Sequence, residues 1–479
     1  MQVANKNNKC FIVWSNELDS RLDPYYHKTE FTEIINKIKK GEFKTKTIGE
    51  LSELVKSGST PRASLKCFTE NDGILFIRNT DLKENVIRYN SAKKKKKEFK
   101  NNLKGLLLKR DDVLISMAGT IGVSAIYDKD DLATINQNIT LIRFNKEINP
   151  QYAVIWLNSY FFKRLIDRAA TIATIKYVNN EVIKKLPIPL PPIEIQNKIV
   201  ELMQSAYNKK ADKEQKAENI LNSINDYILG ELEIKITNLK NKNCFSVKSK
   251  EVEGKRLDPK GYLDTPQTII KAIKKSKYKI KTLSELLATS IAGEWGEDPT
   301  SLENNKGYFL IKVLRNTNFD NQGNLNFDDV AERLIENKKL GKVELKTGDI
   351  LIEKSGGSPT QPVGRVALIE NLKERFTFSN FLQCFRVKKE CLPEYLFCFL
   401  KALYGLNYME YLQNQTTGIK NLIMEEYLSI PIPLPPFDIQ KQLAGEFRNK
   451  LKKANDLKLE AKNEIKETKQ EVEKIILGK

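Results

Sequence analysis

Arg78-Asn79 within "IRNT" and Arg315-Asn316 within "LRNT" each set a guanidinium fork beside a side-chain amide. Groups of this kind donate and accept hydrogen bonds in the geometry that base edges present, and they serve equally well as turn caps. Further short polar side chains gather where turns are expected: Ser116 and Thr120 after "DVLI", and Lys354, Ser355, Ser358, Thr360 and Gln361 after "DILI". Lys176, Tyr177 and Asn179 precede one Pro-rich stretch, and Lys420 and Asn421 precede another. Taken singly, any of them could be a solvated loop residue. As a set they make a candidate recognition face.

Most catalytic chemistry lacks its residues. His27 is the only histidine, which removes most acid–base dyads and nucleophilic triads. The six cysteines (Cys10, Cys67, Cys244, Cys384, Cys391, Cys398) include no C-x-x-C pair, so buried thiols are expected and no metal site. There is no G-x-x-x-x-G-K-[ST] loop and no Gly-rich strand–helix turn for a nucleotide. Glu-x-Lys triplets occur, at Glu344–Lys346 and Glu253–Lys255, but a chain that is 29% charged produces them by chance.

Charge gives the positive indication. Eighty Lys and Arg against 61 Asp and Glu leave a formal +19, which favours a polyanionic partner. The run "AKKKKKEFK" at Ala92–Lys100 reads either as a solvated loop or as a set of phosphate contacts. No apolar run is long enough to span a bilayer, and "MQVANKNNKCFIVW" lacks a secretory pattern, so a cytoplasmic location is expected.

The candidate residues sit on a duplicated plan. "RLDPYY" (Arg21–Tyr26) answers "RLDPKGY" (Arg256–Tyr262), and "KTIGELSEL" (Lys46–Leu54) answers "KTLSELLA" (Lys281–Ala288). "GILFIRNTDL" (Gly73–Leu82) answers "GYFLIKVLRNTNF" (Gly307–Phe319). "KRDDVLISMAGTIGVSAIYD" (Lys109–Asp128) answers "KTGDILIEKSGGSPTQPVGRVALIE" (Lys346–Glu370). "TINQNITLIRF" (Thr134–Phe144) answers "TFSNFLQCFRV" (Thr377–Val387), and "LPIPLPPIEIQNKIV" from Leu186 answers "IPIPLPPFDIQKQL" from Ile430. Order is kept at a separation of about 240 positions, the mark of duplication with loop insertions.

Each copy predicts short strands such as Val113–Ser116, Ile139–Phe144 and Ile350–Glu353, then a helical stretch, Tyr152–Ala169 or Glu394–Leu412. The alternating prolines hold a rigid extended elbow, and Glu194 or Asp438 in the following first turn complements the helix dipole. Beyond each elbow, apolar positions recur at alternating steps of four and three. They are Ile199, Met203, Ala206, Ala217, Ile220, Ile224 and Tyr227, with Lys210 and Lys213 as polar breaks, and Phe447, Leu451, Ala454, Ala461, Ile465, Val472 and Ile475, with Lys458 and Thr468 as polar breaks. Two such helices, each roughly 60 Å long, can pair with each other or lie on their own globules.

With these motifs in view, the chain resembles the specificity subunit of type I restriction–modification enzymes, over essentially its whole length. The elbows "LPIPLPPIEIQ" and "IPIPLPPFDIQ" carry the resemblance most specifically, with "GDIL" at Gly348–Leu351 and "TTGIKNL" at Thr416–Leu422. The first copy departs from it, with Asp111-Asp112 in place of "GD" and "ATIKYV" in place of "TGIKNL".

The resemblance implies an α+β fold of two tandem target-recognition domains, each followed by a long helix. The helices are expected to pair as an antiparallel coiled coil in a pseudo-twofold molecule. The expected segments are 1–190 for the first domain, 191–240 for its spacer helix, 241–434 for the second domain and 435–479 for its helix. It implies a non-catalytic subunit that reads a bipartite target in double-stranded DNA, one half per domain, and docks two methyltransferase subunits. A restriction subunit that translocates DNA can join them. S-adenosylmethionine, ATP and Mg are expected in those partners and no cofactor in this chain. The most similar stretches should meet the identical partners: Pro191, Pro192, Glu194 and Gln196, with Pro435, Pro436, Asp438 and Gln440. Two rival readings are a coiled-coil protein scaffold and a self-contained DNA-modifying enzyme.

Overall fold

A computed structural model describes residues 21–61, 66–103, 105–170, 176–236, 245–253, 259–301, 306–358, 361–416 and 418–478. The chain is mixed α/β and divides into two compact units. The first combines Met1–Asp212 with Glu460–Lys479, and the second is Lys213–Leu459.

Both units are built on the same four-stranded sheet. In the first, Ser52–Ser57, Ile139–Phe144, Val113–Ser116 and Ser124–Ile126 lie side by side in that order, all antiparallel. In the second the order is Leu287–Ala292, Leu382–Val387, Ile350–Glu353 and Val366–Leu368. The central strands Val113–Ser116 and Ile350–Glu353, "VLIS" and "ILIE", are mostly aliphatic and buried at every position. A second sheet stands beside the first in each unit, around a parallel pair: Ile74–Ile77 with Ala133–Ile135, and Tyr308–Leu314 with Phe376–Phe378.

A buried ion pair ties the strand entrance in each copy. Arg143 bonds Asp112 at 2.7 Å and Arg386 bonds Asp349 at 2.8 Å, the two carboxylates being 1% and 3% exposed. Each aspartate also accepts a backbone N–H three residues upstream, from Lys109 and from Lys346. The residue before it must enter the left-handed region: Gly348 has φ +89° and Asp111 has φ +70°. Aspartate tolerates that conformation better than most residues, so the first copy manages with "DD" where the second has "GD".

The Pro-rich elbow is a strand. Pro187–Pro189 pairs antiparallel with Thr45–Thr47, and Pro431–Leu434 with Lys279–Thr282. Proline lacks the donor for a second neighbour, so each two-stranded ribbon stops there. Its carbonyls are used instead: Tyr152 and Tyr395 donate their hydroxyls to Pro189 and Pro433 at 2.6 and 2.5 Å. Trp156 Nε1 donates to the Pro187 carbonyl at 3.0 Å.

The expected helical stretches are shorter than the sequence suggests. Tyr152–Ala169 falls into Pro150–Leu157 and Tyr160–Ala169, broken where Ser159 caps the second piece by accepting from Phe162 N. Glu394–Leu412 becomes a helix, Pro393–Gly405, and a 3-10 turn, Tyr408–Leu412, separated by Asn407 at φ +56°. The long helices run Ile193–Glu231 and Phe437–Ile476. Along them Ile199, Met203, Ala206, Ala217, Ile224, Phe447, Ala454, Ala461 and Val472 are buried. Lys458, on the same seam, is exposed.

Candidate nucleic-acid interface

In both units three stretches far apart in sequence converge beside the end of the central strand. In the first, Val178 N donates to the Met117 carbonyl, Ala118 bridges Tyr177, and Met117 N donates to the Asn138 carbonyl. In the second, Leu422 N donates to Lys354, Ser355 pairs with Asn421, and Lys354 N and Ser355 N donate to the Phe381 carbonyl. The backbone plan is one plan used twice.

The turn that follows the strand is held differently in the two copies. In the first, the Ser116 hydroxyl donates to the Thr120 carbonyl at 2.6 Å and accepts from Val123 N at 3.0 Å, closing a short turn. In the second, Glu353 replaces the serine and Arg365 meets it through two hydrogen bonds of 2.8 and 2.9 Å. Arg365 also donates to the carbonyls of Phe319 and Asn316, and Asn316 Nδ2 donates to Glu353 at 3.2 Å. Asn316 Nδ2 further reaches the Ser355 carbonyl, the Ser355 hydroxyl bonds Asn421 at 2.7 Å, and Lys420 Nζ bonds the Gln361 carbonyl. Ser358 and Gln361 close the tip as a β-bridge.

The "RNT" turns differ in charge. Arg78 makes a two-pronged pair with Asp81, at 2.9 Å from both Nε and Nη2, and donates to the Ser91 carbonyl. Burial alone would raise Asp81, but hydrogen bonds from the Arg78 side chain and backbone and from the Ser91 hydroxyl outweigh it. Its carboxyl therefore stays below the usual range. The second copy has Asn318 at this place, so Arg315 pairs with Asp329 at 3.1 Å instead, and its buried Nε has no hydrogen-bond partner among the described residues. Asn79 is half-buried, its Nδ2 facing Gly119.

Several residues proposed from sequence hold the face together rather than form its surface. Ser116 is 1% exposed and uses its hydroxyl within the turn. Asn179 accepts from Val182 N as the cap of a short helix, and Lys176 Nζ bonds Asp167 at 2.5 Å. Thr120 and Tyr177 are exposed, whereas Lys354, Ser355, Ser358, Gln361, Lys420 and Asn421 are half-exposed. Thr360 lies outside the described residues.

The lysine run is not the solvated loop of its first reading; of its five lysines only Lys95 is buried, and Lys93, Lys96 and Lys97 are exposed. Lys93–Lys95 is a strand paired with Phe68–Thr69 and Ile74–Phe76. Lys95 is 3% exposed, its ammonium 4.2 Å from the centre of the Phe76 ring, and burial pushes its pKa below the lysine range. Five identical residues carry no alternation, so nothing in the run itself marks a strand.

The elbow residues separate into two kinds. Gln196 and Gln440 are each 1% exposed. Gln196 accepts from Asn149 N at 2.8 Å and donates to the Pro191 carbonyl at 2.9 Å. Gln440 does the same with Leu392 N and Pro435. These glutamines fasten elbow to helix internally, and Pro191 and Pro435 are buried with them. The outward surface is Pro192, Ile193 and Glu194 in one copy, and Pro436, Phe437 and Asp438 in the other.

Two residues of the face escaped the sequence reading: Asn138 and Phe381, which hold equivalent positions. Phe381 is 41% exposed. The signal was the aligned pair "TINQN" and "TFSNF", which share only their first residue and set Asn138 opposite Phe381 just before the aligned strands Ile139–Phe144 and Leu382–Val387.

The comparisons agree with this architecture. The family described as "Type I restriction modification DNA specificity domain" matches residues 40–223 and 275–467. The chain belongs to that family. Over 162 residues it is 28% identical to the type I restriction enzyme EcoBI specificity subunit of Escherichia coli, covering 32% of this chain and 33% of that protein. The match thus spans about a third of that relative's length. Over 387 residues it is 26% identical to the putative type I restriction enzyme MjaX specificity subunit of Methanocaldococcus jannaschii, covering 76% and 77%. A solved structure from work on complex assembly and conformational transition of the type I R-M system shares the fold, with a TM-score of 0.52 at 15% identity. It covers 91% of this chain and 96% of that one.

Among the described residues no helix is long and apolar enough to cross a membrane. Among them too, no group of His, Cys, Asp or Glu is placed to hold a metal ion.

Proposed function

We propose that this chain is the DNA specificity subunit of a type I restriction–modification complex, with each globule reading one half of a bipartite target. The observation that carries this is the repeated face. Identical backbone bonds present Ala118, Asn138 and Tyr177 in one unit and Ser355, Phe381 and Asn421 in the other. A constant frame with different side chains suits two different base sequences, because base edges are told apart by local hydrogen bonds and methyl contacts. Residues 1–190 and 241–434 would be the reading domains, with 191–240 and 435–479 as spacer helices.

The long helices are proposed to pair antiparallel. Within the first unit Lys209 bonds Glu464 while Ile199 and Met203 share a core with Val472 and Ile476. Within the second, Ile224 and Ile228 share a core with Leu443 and Phe447. The outward elbow surfaces Pro192–Glu194 and Pro436–Asp438 are proposed to dock two methyltransferase subunits, which would supply S-adenosylmethionine chemistry. ATP- and Mg-dependent restriction would reside in a further partner.

Mapping methylated adenines in the source genome, with and without this gene, tests the reading. One bipartite motif should vanish with the gene. An unchanged methylation pattern, together with salt-independent DNA binding by the purified chain, would instead favour the protein scaffold.

A further inference from the structure

We propose that Phe381 is a specificity-determining residue that packs on the 5-methyl group of a thymine in the second half-site. Asn138 takes the equivalent place in the first unit with a hydrogen-bonding amide. This rests on the DNA-reading function proposed above and assigns one contact within it.

The argument begins with the backbone. Asn138 and Phe381 end the corner between the second sheet and the strands Ile139–Phe144 and Leu382–Val387. Both corners are clamped in the same way. Met117 N donates to the Asn138 carbonyl, and Lys354 N to that of Phe381. Gly58 and Gly293 pass so close that a Cβ would lie 2.3 Å from the Asn136 carbonyl oxygen in one unit and 2.2 Å from that of Ser379 in the other. The corner is thus fixed from two sides, and only its side chain is free to vary.

A phenylalanine fixed in this way and 41% exposed needs a reason. It adjoins Ser355 through the bond from Ser355 N, and Ser355 in turn holds Asn421. Polar groups therefore flank an apolar ring, while Ile419, 45% exposed, begins the strand that carries Lys420 and Asn421. In the major groove the thymine methyl is the apolar feature that such a ring can recognise, whereas a side-chain amide suits the paired donor and acceptor of adenine.

The test uses the full chain assembled with its methyltransferase partner and duplexes carrying its mapped target. Each thymine is replaced in turn by uracil, which removes only the methyl group. Wild type should lose affinity about 4-fold at one position of the second half-site, the weight of one methyl returned to water. Phe381→Ala should bind the thymine duplex more weakly and lose the uracil effect at that position. Phe381→Asn, the residue of the other copy, should do the same and guards against a folding defect in the alanine variant. The proposal is overturned if the second half-site holds no thymine on either strand, if no uracil there matters, or if the uracil effect survives both substitutions. Failure of the wild type to prefer its target over random DNA would overturn the specificity-subunit reading as well, a separable result.

Discussion

The first unit closes the turn after its central strand with one serine hydroxyl, whereas the second uses a buried Arg365–Glu353 pair braced by Asn316. The strands before these turns are otherwise alike, and both begin at the same Arg–Asp pair. The difference follows from turn length. Residues 117–123 return to the next strand so tightly that Ser116 reaches both sides of the gap. Residues 354–365 make a longer excursion, and only long, multiply bonded side chains can span its base. A hydroxyl is cheap to bury, while a carboxylate is tolerated only with its guanidinium in place.

The largest expected effect breaks this contrast directly. Arg365→Ala leaves Glu353, 1% exposed, without its cation and frees two carbonyls, so it should cost about 3–5 kcal/mol. Ser116→Ala, at the matching strand end, should cost about 1 kcal/mol. Urea unfolding of the full chain, followed by probes in each unit, measures both. Equal losses would mean that the ion pair is not what holds the second turn.

The next effect probes what the units share. Gln196→Ala and Gln440→Ala each remove a buried amide that accepts from one backbone N–H and donates to two carbonyls, a Pro and a Glu. Each should cost about 2 kcal/mol, and the two losses should agree. If the elbows dock the proposed methyltransferase partner, assembly with it should weaken as well, because these bonds hold the elbow to its helix. A loss confined to one copy would separate the two elbows.

Legibility in the sequence followed the same division. The duplication, the strands Val113–Ser116, Ile139–Phe144 and Ile350–Glu353 and the existence of long post-elbow helices rest on periodicity and repeated words, which a single sequence displays. Gln196 was noticed because it recurs, but the backbone N–H it accepts from belongs to Asn149, a long-range relation that no local pattern encodes. Arg78 and Arg315 looked alike as base readers. One substitution, Asp81 to Asn318, makes the first a closed ion pair and leaves the second with an unmatched Nε. The strand at Lys93–Lys95 was hidden because its pairing partners, not its residue types, define it.

That substitution gives a pH test. Asp81 has a carboxyl held below its ordinary value, so its stabilising contribution is fully present above the unfolded carboxylate range of about 4. It is lost as pH falls through the lower folded value. Asn318 does not titrate. Hydrogen-exchange protection of 79–82 should therefore drop on acidification relative to that of 316–319, and Asp81→Asn should abolish the difference. Parallel behaviour of the two turns in the unaltered chain would show that Asp81 does not control the first.

The smallest effect concerns the residue before each buried aspartate. Gly348 and Asp111 share a left-handed backbone, which costs an ordinary side chain about 1 kcal/mol and glycine nothing. Gly348→Ala should therefore lose about 1 kcal/mol, since the new Cβ would stand at ordinary contact distance, 3.4 Å, from Pro393, and only the backbone angle is strained. Gly348→Asp, which copies the first unit, should lose less than half of that, because a short polar side chain tolerates this region. Asp111→Gly should be nearly neutral: relief of the angle is offset by the greater freedom of glycine in the unfolded chain. If Gly348→Asp proved as costly as alanine, the first copy would owe its tolerance of Asp111 to neighbours that the second copy lacks.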